Sequence, residues 1–336
     1  MKLYVYPPKV SAGRNIVNNP YIENLINGFD STLVDVVNKN SFAHISILDF
    51  IKHLFKFDVV IFNWLENIGN RKFGYFQFIL FLLSFLVLKI RKVKIVWIMH
   101  NIHPHTGETY ISSFVKNLLF RHSSLIVTHS KEAKSYAQLR ASLPENVLFI
   151  NHPIKHSTVI NNEDSANKDF DLLIWGSIDP YKGVLDFLKY YNSNLSYNSW
   201  TIKIVGRCKD PFYEDSINRF VDKKVTFENR IISFEELRIY INRSKFVLFP
   251  YLSSSVSSSG ALMDTISFHG SIIGPNKGAF LDLSMLNLCS VYDTYEDINH
   301  IVNKFPKLSK IDFEKFINDN SWKRFCEIII NHVDFN

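Results

Sequence analysis

The sequence predicts an α/β protein built as two parallel-sheet domains, each sheet covered on both faces, with a ligand cleft between them. Two patterns carry this expectation. Short runs that are apolar throughout alternate with helix-compatible segments, as expected of strands buried on both sides. The alternation breaks at a polar, aperiodic stretch, Lys155–Lys168, and then restarts with similar spacing. At 336 residues the chain also exceeds one ordinary core. In such domains ligands bind at the carboxyl ends of the strands.

In order, the first half offers strands at Leu3–Tyr6, Ser46–Leu48, Val59–Phe62, Lys94–Met99, Ser124–Thr128 and Val147–Ile150. Helical patterns fill the gaps at Asn19–Phe29, Phe73–Leu88, Ser112–Arg121 and Lys131–Arg140. The second half offers strands at Leu172–Trp175, Ile202–Val205, Lys224–Phe227, Phe246–Phe249, Ser271–Ile273 and Leu288–Tyr292. Helices fit Gly183–Tyr190, Phe212–Phe220, Ser233–Arg243 and Ala261–His269, and one or two more fit the tail from Asp312 to Val333. The expected domains are 1–155 and 169–315, joined by a linker at 156–168. A final helix at 316–336 is placed to pack back on the first domain.

Composition narrows the function classes. Hydrophobic residues at 46% and charged residues at 21% describe a folded globular chain. The 29 phenylalanines imply a greasy interior, a greasy surface, or both. A net charge of +6 favours an anionic partner. No tract interleaves basic residues with surface aromatics, so nucleic acid is not an expected partner. Cys208, Cys289 and Cys326 are far apart, with neither metal-ligand nor disulfide spacing, which fits a reducing cytosol. The start, MKLYVYPPKVSAG, reads as a strand and loop, not a secretory signal.

Phe73–Leu88 is 16 residues without a charge, flanked by Arg71 and Lys72 before it and Lys89, Arg91, Lys92 and Lys94 after it. As a helix it would be about 24 Å long, short of a hydrocarbon core of roughly 30 Å. Two readings stand level, ahead of a true membrane span. It is a helix lying on an anionic membrane surface, or a long core helix.

The run Phe246–Tyr251 followed by Ser253–Gly270, SSSVSSSGALMDTISFHG, has the form of a phosphate cradle. Small residues let the backbone approach an anion, and the first N–H groups of the following helix have no intrahelical partner. Ser257, Ser258, Ser259 and Gly260 are the candidate donors.

The order of these motifs resembles the GT-B glycosyltransferases, and within them the family 4-like enzymes of bacterial polysaccharide assembly. Ile174–Val184, IWGSIDPYKGV, and Ile202–Arg207, IKIVGR, look like that family's first strand ends in its donor domain. Asn19–Ile22, Asn63–Glu66 and Trp97–His105 resemble an exopolysaccharide, mannosyltransferase-like subset. The resemblance implies two Rossmann-like domains facing a central cleft, with the donor on the second domain and the acceptor on the first. It implies roles for Gly13, Ser177, Lys182 and Arg207 beside the donor, and for Asn19 and Tyr21 on the acceptor side. Ser177 stands where the family has Arg, and Ser257 and Thr265 stand where many members have glutamates, with Asp264 beside the second. Those departures leave the donor sugar open, and retention or inversion with it.

Sugar transfer needs a stabilised leaving diphosphate, a positioned anomeric carbon and, for direct inversion, a base for the acceptor hydroxyl. The resemblance implies that His100 ends a strand and touches the donor sugar, which leaves His103 or Glu66 as the candidate base. His100, His103 and His105 do not follow a metal-ligand spacing, and there is no Asp-x-Asp, so no metal or other cofactor is expected. The expected activity is transfer from a UDP- or GDP-sugar to a lipid-linked or growing polysaccharide, on the inner face of the plasma membrane. A sugar-nucleotide epimerase of the same architecture and a non-catalytic subunit of a glycosyltransferase complex are the alternatives.

Overall fold

Runs such as VVIFN and KIVWIM have no polar face to offer water, so they are stable only in the middle of a covered sheet. In the computed structural model they hold that place. The structure describes residues 1–9, 20–102, 108–155, 168–252, 259–304 and 309–334. The chain divides into two units, Met1–Pro153 with Asn320–Asn336, and Ile154–Asp319.

The first unit runs β1 (Lys2–Tyr6), α1 (Pro20–Gly28), β2 (Asp35–Val36), α2 (Ser46–His53), β3 (Val59–Asn63), α3 (Gly74–Ile90), β4 (Lys94–Met99), α4 (Tyr110–His122), β5 (Leu125–Thr128), α5 (Lys131–Gln138) and β6 (Val147–Phe149). Its strands form one parallel sheet in the order β2-β1-β3-β4-β5-β6. Alternate residues of β4 go to opposite faces. Ile95, Trp97 and Met99 join one core with Phe50, Phe62, Phe81 and Leu119, while Val96 and Ile98 join another with Leu25, Ile26, Phe325 and Ile329.

The second unit runs β7 (Phe170–Trp175), α6 (Val184–Tyr190), β8 (Ile202–Val205), α7 (Pro211–Asn218), β9 (Val225–Glu228), α8 (Phe234–Asn242), β10 (Ser244–Leu248), α9 (Gly260–Ser267), β11 (Ile272–Pro275), α10 (Gly278–Ser284), β12 (Ser290–Tyr292), α11 (Tyr295–Lys304) and α12 (Lys310–Asp319). Its sheet is also parallel, in the order β12-β11-β10-β7-β8-β9. Each unit is thus a Rossmann-like domain. The last helix, α13 (Trp322–Asp334), belongs to the first unit, where it packs on α1 and buries Phe325, Cys326, Ile329 and Val333.

Two sequence expectations are corrected. Ser46–Leu48 is not a strand but the first turn of α2, whose Ile47, Phe50 and Leu54 bury at helical spacing. The strand beside β1 is instead the two-residue Asp35–Val36, too short to show a pattern. The expected linker at 156–168 lies outside the described residues except for Lys168.

Candidate functional site

Three strands of the first sheet are followed closely by histidine, His100 after β4, His129 after β5 and His152 after β6. A parallel sheet brings those carboxyl ends side by side. The imidazoles of His100 and His129 are 5.5 Å apart between ring centres, and those of His129 and His152 are 5.2 Å apart. Tyr21 of α1 is the hub of the cluster. Its ring meets His100 at 4.7 Å, His152 at 5.2 Å, Trp64 at 5.5 Å and Trp322 of α13 at 4.8 Å.

The hydrogen bonds fix the protons. Asn63 Nδ2 donates to the Tyr6 carbonyl at 3.0 Å, so its Oδ1 accepts from His100 Nε2–H at 3.1 Å. His129 Nδ1–H donates to the Ile150 carbonyl at 2.9 Å, so its Nε2 accepts the Tyr21 hydroxyl at 3.1 Å. His152 Nδ1–H donates to the Pro153 carbonyl at 2.9 Å. Burial disfavours charge on all three. With the added effect of its histidine neighbours, His100 is held well below the usual histidine range, and His129 falls to about 3 despite its carbonyl partner. His152 falls to about 4 through burial. The site therefore presents neutral imidazoles, with the lone pair on Nδ1 in His100. Trp64, at a left-handed φ of 50°, stacks on His100 with ring centres 4.2 Å apart.

Glu66 is not part of this cluster. It lies in the turn Leu65–Asn70 after β3, almost wholly buried, with Oε2 lacking a hydrogen-bond partner among the described residues. Burial raises its pKa, and the charges of Lys116 and Arg71 only partly offset this. Lys116 comes from α4, so Glu66 sits toward the face covered by α2, α3 and α4, while Tyr21 and α13 bring the histidines toward the other.

In the second unit, Gly176 and Gly206 end β7 and β8. A Cβ on Gly206 would lie 1.6 Å from the Gly176 carbonyl oxygen, so only glycine lets the two strand ends approach so closely. Gly176 has a φ of +110°, and a Cβ there would lie 3.5 Å from Lys182 Nζ and 3.8 Å from the Ala261 Cβ. Lys182 and the first turn of α9 thus converge on one small spot. Lys182 is buried, and its ammonium lies 5.0 Å from the Tyr251 ring centre. Burial opposes its charge, but Tyr251, Tyr181 and the Asp179 carboxylate outweigh that and hold its pKa above the lysine range.

The N-cap of α9, Ser259, makes no side-chain cap; its hydroxyl instead meets Tyr251 Oη at 3.2 Å. Among the described residues a Cβ on Gly260 would meet nothing within 4 Å, so none of them closes the helix start to a ligand. Thr265 is fully buried, accepting from Trp175 Nε1 at 3.0 Å and donating to the Ala261 carbonyl at 2.8 Å. Next to it, burial lifts Asp264 to about 6, against the opposing charge of Lys155.

Ser177 and Arg207 are exposed at the same strand ends. Gly13, Asn19, His103, Ser257 and Ser258 lie outside the described residues. The sequence reading omitted His129, His152 and Trp322, although IMH, VTH and INH each place a histidine at or just after a strand end. Among the described residues, no group of three or more His, Cys, Asp or Glu is placed to hold a metal ion, and no helix is long and apolar enough to cross a membrane.

No family model matches the sequence, and no curated protein matches it. Solved structures do match. The lipopolysaccharide outer core galactosyltransferase WaaB superposes with a TM-score of 0.62 at 12% identity, covering 99% of both chains. A glycosyltransferase from Rickettsia africae gives 0.63 at 12% identity, over 98% of this chain and 96% of that one. Anabaena HepE in complex with UDP and glucose gives 0.60 at 12% identity, over 97% and 94%. This chain therefore has the two-domain GT-B fold of these glycosyltransferases.

Proposed function

We propose that the protein is a glycosyltransferase that takes a sugar from a nucleotide-diphosphate donor. The observation that carries this is the convergence of the Lys182 ammonium and the uncapped, open start of α9 at the glycine-lined strand ends. A charged, desolvated lysine next to free helix N–H groups is a diphosphate site in both charge and geometry. It suits a leaving group whose negative charge grows in the transition state, where one such donor is worth ~3 kcal/mol. Gly13, Ser177, Arg207, Ser257 and Ser258 are proposed to complete the donor site. Asp264, half-buried in α9, is proposed to take a sugar or ribose hydroxyl in place of the buried Thr265. HepE, of the same fold, binds UDP-glucose, which supports a UDP- or GDP-sugar here.

The histidine cluster is proposed as the acceptor side, with Asn19 and Tyr21. A base must hold a proton near neutral pH, which His100 does not. Its lone pair on Nδ1 instead suits it to accept a sugar hydroxyl. His103 and Glu66 remain the two candidates for the base. The proposed acceptor is a lipid-linked or growing polysaccharide at the inner face of the plasma membrane.

The test is a thermal-shift panel with UDP, GDP and ADP, run on the native chain and on Lys182→Ala. A cognate nucleotide at a hundred times its dissociation constant should add about 2.7 kcal/mol of stability, and most of that should vanish in the variant. A native chain that none of the three nucleotides stabilises would end this reading.

A further inference from the structure

A helix on a protein surface normally turns a polar face to water, but α3 does not. Its Phe81, Phe85 and Leu88 are buried in the first core. Its opposite face carries Tyr75, Phe76, Ile79, Leu83, Leu86 and Ile90, all more than half exposed, with Tyr75 at 78% and Ile90 at 81%. These recur every three or four residues and so form one stripe along the whole helix. The exposed Phe114 of α4 extends it sideways, meeting Phe78 at 5.7 Å between ring centres.

The charge around the stripe is one-sided. Between Glu66 and Glu108 lie six basic residues and no acidic one. The chain has 38 basic and 32 acidic residues, so outside that stretch the two signs balance at 32 each. Its entire formal excess of +6 surrounds α3. Arg71 and Arg91 staple the two ends. Arg71 donates to Tyr6 Oη and the Trp64 carbonyl, and Arg91 donates to the Leu54 and Phe57 carbonyls. Lys72 at one end and Lys89 and Lys92 at the other are exposed, and no salt bridge engages them among the described residues.

The geometry points to a docking face for an anionic lipid leaflet, with α3 lying flat, its stripe in the acyl boundary and its lysines among the headgroups. A second copy fits poorly. Pairing two stripes antiparallel sets Lys72 against Lys89 and Lys92, and pairing them parallel sets each lysine on itself. A leaflet supplies apolar depth and negative charge in one plane, the combination this face displays. The inference deepens the membrane-facing part of the proposed function but rests on different residues. It also gives that reading a geometry. In a parallel sheet the crossover helix runs back from the strands' carboxyl ends, so α3 begins at the same end of the sheet as the histidine cluster, on the other face. Docking would hold that cluster close to the headgroups.

The experiment is flotation of the full chain with vesicles of phosphatidylcholine alone or mixed with phosphatidylglycerol. The native chain should float with the mixed vesicles at least tenfold better than with phosphatidylcholine alone, and high salt should reduce the difference. The variants Ile79→Ser/Leu83→Ser/Leu86→Ser and Lys72→Gln/Lys89→Gln/Lys92→Gln should each lose at least tenfold, while keeping the native melting profile and nucleotide response. Failure of the native chain to float, or unchanged flotation of both folded variants, overturns the inference. So does a native dimer in light scattering that the serine variant makes monomeric. Flotation without any nucleotide response would instead sink the proposed function and leave the docking face standing.

Discussion

The Tyr21 hydroxyl donates to His129 Nε2 across 3.1 Å, and this one bond ties α1 to the carboxyl end of β5 within the buried core. It also specifies which nitrogen of His129 carries the proton. Replacing Tyr21 with Phe removes the donor and leaves a buried imidazole nitrogen without a partner, which should cost about 1–3 kcal/mol. Urea unfolding should show a lower midpoint at unchanged slope. A variant as stable as the native chain would mean that water or another group satisfies that nitrogen.

The three histidines make the first unit acid-sensitive. Their folded pKa values lie below the unfolded value, to about 3 for His129 and about 4 for His152. Between those values and about 6.5 the unfolded chain binds more protons, so stability is complete above pH 6.5 and falls as pH drops. Each histidine adds a slope of up to about 1.4 kcal/mol per pH unit. His152→Gln should flatten the loss of stability between pH 6.5 and 4. A slope identical to the native one would show that His152 is not desolvated.

Asp264 acts with the opposite sign. Its folded pKa of about 6 exceeds that of a free aspartate, so the folded state holds the proton longer and loses stability as pH rises from 4 to 6. Asp264→Asn should therefore stabilise the chain at pH 8, by about 3 kcal/mol, while weakening donor use if the carboxylate takes a hydroxyl. Gain of stability with loss of turnover is the expected pair. Loss of both would contradict the assigned environment.

At Gly206 the barrier to change is steric. Gly206→Ala would drive a methyl into the Gly176 carbonyl and should destabilise by about 3 kcal/mol or more, with a lower melting temperature and loss of nucleotide response. A variant that melts normally would show that the two strand ends can separate.

Much of this was legible in the sequence because its signals are local. Runs such as Val59–Phe62 and Phe246–Phe249 are apolar throughout and bounded by polar residues or Pro, so they appear as strands with little error. Lys182 was singled out because its segment, Ile174–Val184, resembles a motif of the GT-B enzymes, and a resemblance of that kind is carried within one short stretch of chain. The segment Ser46–His53 misled because Ser-Ile-Leu, taken alone, has no period; only Phe50 and Leu54 reveal the helix. The histidine cluster was half legible. His100 stood in a recognisable motif, but His129, His152 and Trp322 are distant in the chain and adjacent only because parallel strands end in one row. Glu66 was singled out through the Asn63–Glu66 motif, but its near-complete burial in the turn Leu65–Asn70 is a tertiary property that no local pattern reveals.

The return of α13 to the first unit sets an order on biosynthesis. Residues 154–319 leave the ribosome before Phe325, Cys326 and Ile329 exist to cover the hydrophobic side of β1, β3 and β4. The nascent amino-terminal domain must wait, its flank bare, until the carboxyl-terminal residues emerge. Shortening the chain by its final fifteen residues should therefore damage the domain made first, not the one made last.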